Sequence, residues 1–474
     1  MAGTIETDIC VIGAGSGGLS VAAGASQMGA RVVLIEKGRM GGDCLNFGCV
    51  PSKALIAAGH AAHAIRDSRR FGIGAGDPNV DFRAVHDHVH GVIAAIAPND
   101  SVERFTGLGV TVLQETARFT GPGEVAAGDT LIRAKYFVVA TGSSAGVPPI
   151  PGLDTVPYRT NETVFELTER PEHLIVIGGG PIGSELAQAF RRLGARVTVL
   201  EMFTILGKDD PEVTEVAKRR LRQEGVALRE GIKIKSVGRD GAGVTVEIEQ
   251  NGTAERIAGS HLLIAAGRSA NVDGLNLEAA GVKYSKKGIE VDARLRSSNK
   301  RIYAMGDVAG GYQFTHVAGY HAGIVIRNVL FWLPAKVDYR ALPWVTYTDP
   351  EIAHVGQTEA QAKQALGGDI RVLRFALHEN DRAQAERETD GLIKVVTDKR
   401  GRVLGASIAA SRAGELLLPW VIAVQQKQKV GALASLIAPY PTLSEISKRV
   451  AGSYFVPSLF SEKTRRIVRF LMKF

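Results

Sequence analysis

One pattern occurs twice along the chain and restricts its fold more than any other feature of the sequence. Each copy is a short apolar run, a glycine triplet with the spacing GxGxxG, a helical stretch and a second apolar run that ends in glutamate. The triplets are Gly13, Gly15 and Gly18 in the first copy and Gly178, Gly180 and Gly183 in the second. The closing glutamates, Glu36 and Glu201, lie 23 residues after the first glycine of their own copy, since 36 − 13 and 201 − 178 both equal 23. The repeat predicts two similar strand–helix–strand units.

A glycine triplet between a strand and a helix, with an acidic residue about 20 residues later, is the pattern of a Rossmann dinucleotide-binding unit. The glycines allow the backbone to approach a pyrophosphate, and the helix N-terminus presents N–H groups to that anion. The carboxylates of Glu36 and Glu201 can accept hydrogen bonds from ribose hydroxyls. We therefore predict two dinucleotide cofactors, a tightly held flavin and an exchanging nicotinamide, NADH or NADPH.

The rest of the chain is arranged around these units, and we predict an α/β fold with two Rossmann-like dinucleotide-binding domains and a C-terminal α+β domain. The flavin domain is assigned to residues 1–150 and 269–343, the nicotinamide domain to 151–268 and the α+β domain to 344–474. Strand-like runs at residues 113–150 and around Tyr303 place those segments in the flavin domain.

Cysteine content and charge limit the class of protein. Only three cysteines occur, Cys10, Cys44 and Cys49, whereas a secreted protein of 474 residues more often has a larger, even set. The first eight residues lack a basic region followed by an apolar core, so we expect no secretory leader, and no apolar run approaches the roughly 20 residues that cross a bilayer. We therefore predict a cytoplasmic protein. The net charge of +8 suits anionic cofactors, and without zinc-finger or RNP motifs we predict no nucleic-acid partner.

The second chemical feature is the segment at residues 41–53, with the sequence GGDCLNFGCVPSK. Cys44 and Cys49 are five residues apart, so on one helix they would lie about one turn apart, within reach of a disulfide. A helix N-terminus would favour the thiolate. Lys53 lies four residues after Cys49, where its charge would stabilise a thiolate and a reduced flavin. Cys10 lies in the first apolar run and is assigned to the core.

Residues 41–53 resemble the active-site motif of the pyridine nucleotide–disulfide oxidoreductases, a family that includes dihydrolipoamide dehydrogenase, glutathione reductase and mercuric reductase. The resemblance covers nearly the whole chain. Besides both glycine repeats it includes ATG at residues 140–142, GD at 306–307, VTYTDPEIAHVG at 345–356 and YPTLSE at 440–445. It implies an FAD-dependent NAD(P)H:disulfide oxidoreductase that forms a homodimer through its third domain, with each active site completed by the partner subunit.

The resemblance also implies roles for individual residues. Hydride would pass from NAD(P)H to FAD, and electrons would pass on to the Cys44–Cys49 disulfide. Cys49 would be the thiol in charge-transfer contact with the flavin, and Cys44 the interchange thiol that meets the substrate. Lys53 and Glu185 match the family's ion pair beneath the flavin, and Asp307 matches the carboxylate that binds its ribityl chain. Five further positions are assigned to cofactor binding: Gly42, Thr141, Gly142, Thr315 and Gly267.

The chain departs from the pattern of dihydrolipoamide dehydrogenase and glutathione reductase at one position. Those enzymes carry His-Pro-x-x-x-Glu near the C-terminus, where the histidine deprotonates the dithiol and the glutamate orients the histidine. Here Tyr440 replaces the histidine, and the glutamate is retained as Glu445. A tyrosine with a pKa near 10 is a poor base at neutral pH, and general acid–base catalysis contributes about 10²–10⁴-fold. Ordinary dithiol–disulfide turnover is therefore expected to be weak.

Several acceptors remain open besides a small-molecule disulfide. Mercuric reductases also have tyrosine at this position, where the phenol helps to position Hg(II), and this favours a metal-ion reductase. They also carry a vicinal cysteine pair near the C-terminus, whereas this sequence has no cysteine after Cys49. Two more activities stay open: a dihydrolipoamide dehydrogenase that functions with Tyr440, and a membrane-associated flavoprotein that uses no disulfide.

The choice of nicotinamide depends on Glu201. A carboxylate at the end of the second strand of a Rossmann unit accepts a hydrogen bond from the ribose 2′-hydroxyl and repels a 2′-phosphate. We therefore predict NADH rather than NADPH.

Two further segments suggest partners. His86 and His90 are one helical turn apart and could bind one metal ion together, but the sequence shows no third ligand, and we predict no metal site.

Residues 463–474 form a basic amphipathic pattern, with Ile467, Phe470, Leu471 and Phe474 at helical spacing. Such a helix can lie on an anionic membrane surface, so we expect peripheral contact with the inner membrane surface.

Overall fold

In the computed structural model, which describes residues 3–474, the first glycine repeat forms the predicted strand, helix and strand. They are β1 (Thr4–Ile12), α1 (Ser16–Gln27) and β2 (Val32–Ile35). The two strands pair in parallel, with Cys10 opposite Val33. Cys10 is 0% exposed, which confirms its prediction as a core residue.

Helices and then strands complete the region before residue 150. The helices are α2 (Gly42–Asn46), α3 (Cys49–Asp67), α4 (Phe82–Ile96) and α5 (Val102–Gly107). The strands are β3 (Val110–Leu113), β4 (Ala117–Gly121), β5 (Glu124–Ala127), β6 (Thr130–Val139) and β7 (Ser143–Ala145). The strands predicted after residue 113 are thus confirmed.

The second glycine repeat forms the same three elements, β8 (His173–Ile177), α6 (Pro181–Arg192) and β9 (Arg196–Glu201). The elements that follow are α7 (Pro211–Gln223), β10 (Val226–Glu230), β11 (Lys233–Asp240), β12 (Gly243–Gln250), β13 (Thr253–Gly259), β14 (His261–Ile264) and β15 (Arg268–Ala270). β8 pairs in parallel with β14, β9 neighbours β10, and β11, β12 and β13 form an antiparallel sheet.

The next segment returns to the first sheet. It contains β16 (Tyr284–Ser285), β17 (Gly288–Ile289), β18 (Ile302–Ala304) and α8 (Thr315–Leu330). β18 pairs in parallel with β6 in a seven-stranded sheet whose path is β3-β2-β1-β6-β5-β4. Ligands of such sheets bind beyond the carboxyl ends of the parallel strands. The turns after β1, β6 and β18 are therefore placed to form one site.

The C-terminal region is the predicted α+β domain. Its strands are β19 (Pro343–Thr346), β20 (Glu351–Gly356), β21 (Ile370–Ala376), β22 (Leu392–Asp398) and β23 (Val403–Ala410). Its helices are α9 (Glu359–Leu366), α10 (Asp381–Glu386), α11 (Ala413–Leu416), α12 (Leu418–Gln425), α13 (Gly431–Ala434), α14 (Glu445–Ser453), α15 (Val456–Leu459) and α16 (Glu462–Leu471). The antiparallel sheet has the order β19-β20-β23-β22-β21 and packs around the fully buried Trp420.

The contacts group the chain into two units. One contains the chain up to Gly178 together with Ala189–Val197 and Lys233–Val337, and the other contains Gly179–Gln188, Thr198–Ile232 and Asp338–Phe474. The domain boundaries at residues 150, 268 and 343 stay predictions. None of the helices within residues 3–474 has the length and apolar character needed to cross a bilayer.

Candidate redox active site

Cys44 and Cys49 lie on two successive helices and not on one. Cys44 is in the five-residue α2, and Cys49 is the first residue of the 19-residue α3. The turn between them passes through Gly48, where an added Cβ would lie 2.9 Å from Asp43 Oδ2. The picture of one continuous helix is therefore wrong, because the chain leaves the helix at residues 47–48. The two thiols nevertheless interact, and each is the largest influence on the pKa of the other.

Side-chain amides hold this turn in place. Asn46 Nδ2 donates to two carbonyl oxygens, at 3.0 and 2.9 Å. Asn161 Nδ2 donates to Asp43 Oδ1 at 3.1 Å and to the carbonyl oxygen of Phe47 at 3.2 Å. Asn161 lies 118 residues from Asp43 in sequence, and nothing in the sequence identified it as part of the site.

Cys49 is the more acidic thiol of the pair. A hydrogen bond from the Cys44 thiol is the main cause that lowers the pKa of Cys49 to about 6. The Thr315 hydroxyl, 3.4 Å from Cys49 Sγ, and the charge of Lys53 lower this pKa further, whereas burial raises it. The same contact raises the pKa of Cys44 well above its ordinary value. In the reduced pair at neutral pH, Cys49 at the N-terminus of α3 is therefore the thiolate and Cys44 keeps its proton.

The N-terminus of α1 has the geometry of a pyrophosphate site. Its N-cap residue, Gly15, provides no side-chain hydrogen bond, and its first turn contains no acidic residue. The first N–H groups of the helix are thus available to an anion. An added Cβ on Gly18 would lie 1.8 Å from the carbonyl oxygen of Gly13, and one on Gly42 would lie 2.6 Å from Gly15 Cα. The redox segment therefore packs directly on the glycine turn, in an arrangement that fits the pyrophosphate of FAD.

The two repeat glutamates make the same backbone contacts in their own units. Oε2 of Glu36 accepts from the amide of Ala14 at 2.6 Å, and Oε1 accepts from Gly38 at 2.7 Å. Oε2 of Glu201 accepts from the amide of Gly179 at 2.7 Å, and Oε1 accepts from the amide two residues after the glutamate at 2.9 Å. An ionised carboxylate has about four acceptor positions, so each glutamate retains capacity for ribose hydroxyls.

Asp307 lies in a cluster of polar side chains in the first unit. Its carboxylate accepts a hydrogen bond from Ser143 Oγ at 2.5 Å and lies 3.8 Å from Arg268 Nε. Arg268 Nη2 also lies 3.2 Å from Asp43 Oδ2, which connects the cluster to the redox segment. Burial raises the pKa of Asp307, while the Ser143 hydrogen bond and the Arg268 charge lower it. A half-buried carboxylate here fits a ligand that donates hydroxyl hydrogen bonds, such as the ribityl chain of FAD.

The other predicted flavin positions are on the turns around this cluster. Thr141 Oγ1 donates to a backbone carbonyl oxygen at 2.7 Å, and Gly142 and Gly267 have φ values of +68° and +127°. Sequence reasoning missed Ser143 and Arg268. Their only signal is that each directly follows one of these glycines.

The second glycine triplet opens α6. Gly178 has a φ of +111°, an added Cβ on Gly180 would meet no atom within 4 Å, and Gly183 lies in the first turn of α6. That turn contains no acidic residue. The open space beside Gly180 and the helix N-terminus fit the pyrophosphate of a nicotinamide dinucleotide.

The remaining predicted residues lie in the second unit. Glu185 is buried in α6, and its Oε1 accepts a hydrogen bond from the amide of Tyr347 at 3.0 Å. Tyr440 is exposed, and its hydroxyl donates to Asp381 Oδ2 at 2.9 Å. That hydrogen bond raises the pKa of Tyr440, so the phenol is a weaker acid than usual and does not become a phenolate base at neutral pH. Glu445 is the first residue of α14.

The predicted histidine helix is α4, which contains His86 and His90. The structure places a third group beside them, the carboxylate of Glu166, in the 3₁₀ turn Val164–Glu166. Glu166 is far from the histidines in sequence, so the sequence alone could not reveal this cluster.

Known proteins are similar to most of this chain. Residues 7–322 match the family model described as pyridine nucleotide-disulphide oxidoreductase, and residues 342–451 match the dimerisation domain of that family. Mercuric reductase from Streptomyces lividans is 37% identical over 456 residues, which cover 94% of this chain and 96% of that protein. Dihydrolipoyl dehydrogenase from Geobacillus stearothermophilus is 35% identical over 463 residues, with coverage of 94% and 96%.

Solved structures show the same fold. The Cu(II) complex of the HOCl-induced flavoprotein disulfide reductase RclA from Escherichia coli has a TM-score of 0.85 at 27% identity, covering 94% of this chain and 99% of that chain. LpdA from Mycobacterium tuberculosis has a TM-score of 0.86 at 28% identity, with the same coverage. The paired cysteines, the two glycine turns and these matches lead to one conclusion: the chain belongs to the pyridine nucleotide–disulfide oxidoreductase family, whose members depend on FAD and NAD(P)H.

Proposed function

We propose that the protein oxidises NADH through FAD and the Cys44–Cys49 pair, and that the electron acceptor is a thiophilic metal ion such as Hg(II) or Cu(II). The observation that supports this acceptor is the state of Tyr440. This residue is at the position of the family's general base, yet its hydroxyl is a donor to Asp381 and its pKa is raised. The acceptor should therefore be one whose reduction needs no general base.

FAD, when bound, supplies the two-electron chemistry, accepting hydride from NADH and passing two electrons on. The two cysteines of the chain carry out the disulfide chemistry and the associated proton transfer. Reduction breaks the Cys44–Cys49 S–S bond with two electrons. Cys49 remains a thiolate near neutral pH and Cys44 takes up one proton, as the lowered and raised pKa values of the two sulfurs indicate.

Because Cys44 is protonated, a disulfide acceptor and a metal-ion acceptor differ in whether they need a general base. Attack on a substrate disulfide needs the thiolate of Cys44, and hence a base to remove the proton. A metal ion does not need that base, because coordination deprotonates a thiol directly. Bound by both sulfurs, Hg(II) would take two electrons and leave as Hg(0) while the disulfide forms again. Two Cu(II) ions would take one electron each for the same disulfide.

Relatives give independent support to a metal acceptor. Mercuric reductases are among the similar proteins, and the solved RclA structure is a complex with Cu(II). A lipoamide-type dehydrogenase is the second candidate. It is favoured by the 35% identity to dihydrolipoyl dehydrogenase and by the retention of Glu445.

The test is anaerobic oxidation of NADH by the holoenzyme with Hg(II) or Cu(II) as acceptor. Cys44→Ser should reduce the metal-dependent rate to the rate without enzyme, whereas the control Cys10→Ala, at a buried thiol outside the site, should retain it. Two Cu(I) or one Hg(0) should form per NADH. Equal rates in Cys44→Ser and wild type would contradict the proposal.

The proposed nicotinamide is NADH, and the support is the carboxylate of Glu201 beside the second glycine turn.

A homodimer is proposed because residues 342–451 match the family's dimerisation domain. The cytoplasmic location inferred from the cysteine content stays a prediction.

We also propose that α16 lies on an anionic membrane surface. Its apolar side chains are exposed, with Phe470 at 60% and Phe474, just beyond the helix, at 97%. The basic residues of the same segment are Lys463, Arg465, Arg466, Arg469 and Lys473. Apolar side chains beside a cationic face suit the boundary between lipid headgroups and acyl chains.

A further inference from the structure

We propose that His86, His90 and Glu166 form a binding site for a divalent transition-metal ion of the Zn²⁺ type, separate from the redox cysteines. One potential ligand atom from each of the three residues lies within 4.8 Å of the other two. Two imidazoles and one carboxylate are a ligand set that suits Zn²⁺, with water completing a tetrahedron.

The helix α4 places the two histidines side by side. They are four residues apart on one face, and their ring centroids are 4.2 Å apart. His90 Nε2 lies 3.9 Å from Glu166 Oε2 and 3.3 Å from the carbonyl oxygen of Phe165. A Zn²⁺ ion with bonds of about 2.0–2.1 Å needs ligand atoms about 3.3 Å apart. Small side-chain rotations therefore close the site.

Neighbouring groups orient the imidazoles for metal binding. Asp87 Oδ1 lies 2.9 Å from His86 Nδ1. A carboxylate on one ring nitrogen fixes the tautomer and leaves the other nitrogen, Nε2, to the metal, as is common for metal-binding histidines. His90 Nε2 donates its proton to the carbonyl oxygen of Phe165 in this structure, so metal binding through Nε2 would move the ring proton to Nδ1 and replace that hydrogen bond.

The two elements that carry the ligands are packed in the first unit. Phe82, the first residue of α4, stacks on Phe190 with ring centroids 6.0 Å apart, and the Asp81 side chain caps the helix. Phe165, next to Glu166, is 7% exposed. The ligands therefore stand on an anchored helix and an anchored turn, and a bound ion would tie α4 to the segment at residues 164–166.

Calorimetric titration of the oxidised holoenzyme with Zn²⁺ tests this site, since the closed Cys44–Cys49 disulfide removes the competing thiolates. We expect His90→Asn to weaken one Zn²⁺ site per chain by at least about tenfold, because loss of even a supporting partner of a metal ligand costs 10–100-fold. His86→Asn and Glu166→Gln should act in the same way. His88, an exposed histidine of the same helix outside the cluster, provides the matched control His88→Asn, which should leave the affinity unchanged.

A second readout separates ligation from a general effect on folding. Zn²⁺ should raise the thermal unfolding midpoint of the wild type and of His88→Asn, because an ion that binds only the folded state stabilises it. It should not raise that of His90→Asn. Equal Zn²⁺ affinity in wild type and His90→Asn, or no binding at millimolar Zn²⁺, would overturn the proposal. Neither result depends on the acceptor of the redox reaction.

Discussion

Cys49 Sγ lies 3.4 Å from Oγ1 of Thr315, the first residue of α8. The two residues are 266 positions apart in sequence, and the fold brings them together because β18, which precedes α8, pairs with β6 in the sheet that also contains β1. The hydroxyl donates to the sulfur and favours its thiolate form. The reactivity of the redox pair therefore depends on a contact from a distant part of the chain.

Replacing Thr315 by valine should raise the pKa of Cys49 from its value of about 6. A hydrogen bond to a charged group contributes about 1.5–3 kcal/mol, and one pKa unit corresponds to about 1.4 kcal/mol, so we expect a rise of about one to two units. The measurement is the pH dependence of alkylation at Cys49 in the reduced enzyme, mapped by mass spectrometry. Thr315→Ser keeps the hydroxyl and should keep the pKa. An unchanged profile in Thr315→Val would show that the contact has no effect on the thiolate.

Glu201→Ala should lower the preference for NADH over NADPH, measured as the ratio of kcat/KM values. The carboxylate also accepts a hydrogen bond from the amide of Gly179, so its loss should weaken the binding of both cofactors. Only the binding of NADPH is also strengthened by removal of the negative charge. Two like charges about 4 Å apart repel by about 1–4 kcal/mol, so the ratio should fall about fivefold or more. Glu215→Ala, which removes the same charge from α7, should leave the ratio unchanged. A ratio that stays the same in Glu201→Ala would reject this role.

An ion cluster around Lys394 in the second unit should contribute to the stability of the fold. Lys394 is 4% exposed, and its Nζ lies 2.8 Å from Asp210 Oδ2, 2.8 Å from Glu212 Oε2 and 2.7 Å from Glu359 Oε2. Lys394→Met should lower the free energy of unfolding by about 3–5 kcal/mol, because it leaves the buried carboxylate of Asp210 without its cation. Lys363→Met removes an exposed partner of Glu359 and should cost about 1 kcal/mol or less. Urea denaturation of both variants checks the difference, and similar losses would contradict it.

The same cluster should make the stability of the folded protein depend on pH in the acid range. Hydrogen bonds from Lys363 and then Lys394 lower the pKa of Glu359 from 4.5 to about 2. A carboxyl group with a lowered pKa stabilises the folded state fully above its unfolded pKa, and this contribution is lost as the pH falls through the folded pKa. The stability of the wild type should therefore decrease between about pH 4.5 and pH 2, and Lys394→Met should show a smaller decrease in this window.

Deleting residues 463–474 should abolish sedimentation of the protein with vesicles that contain anionic lipid. Zwitterionic vesicles are the control, and they should bind the intact protein weakly because its basic side chains find no opposite charge. Unchanged binding after the deletion would reject the membrane role of α16. A change in oligomeric state without any vesicle binding would instead assign the helix to the dimer.

Local patterns predicted most of the fold and the glycine turns at which the cofactor sites are proposed. The spacing of the glycines and glutamates is repeated within each βαβ unit, where sequence neighbours become spatial neighbours. The structure shows the consequence, since Glu36 and Glu201 make matching contacts to their own glycine turns. The redox motif was also local, although the interruption at Gly48, whose backbone is not helical, was not foreseen.

Contacts between distant segments could not be predicted from one sequence. Asn161 reaches the redox turn, Arg268 joins Asp43 to Asp307, and Glu166 approaches the histidines of α4 only after the chain has folded. None of these residues belongs to a pattern with a fixed spacing. Their identification required the packing of the sheet and helices, which sets distances that periodicity does not encode.

The most direct test of the account compares lipoamide with Hg(II) as acceptors of electrons from NADH, in the wild type and in Tyr440→His. We predict negligible turnover of lipoamide by the wild type, a rise of about 10²-fold or more in Tyr440→His, and turnover of Hg(II) by the wild type without any substitution. Robust reduction of lipoamide by the wild type would contradict the account, since it would show that the chain needs no histidine base and that Tyr440 does not select the acceptor.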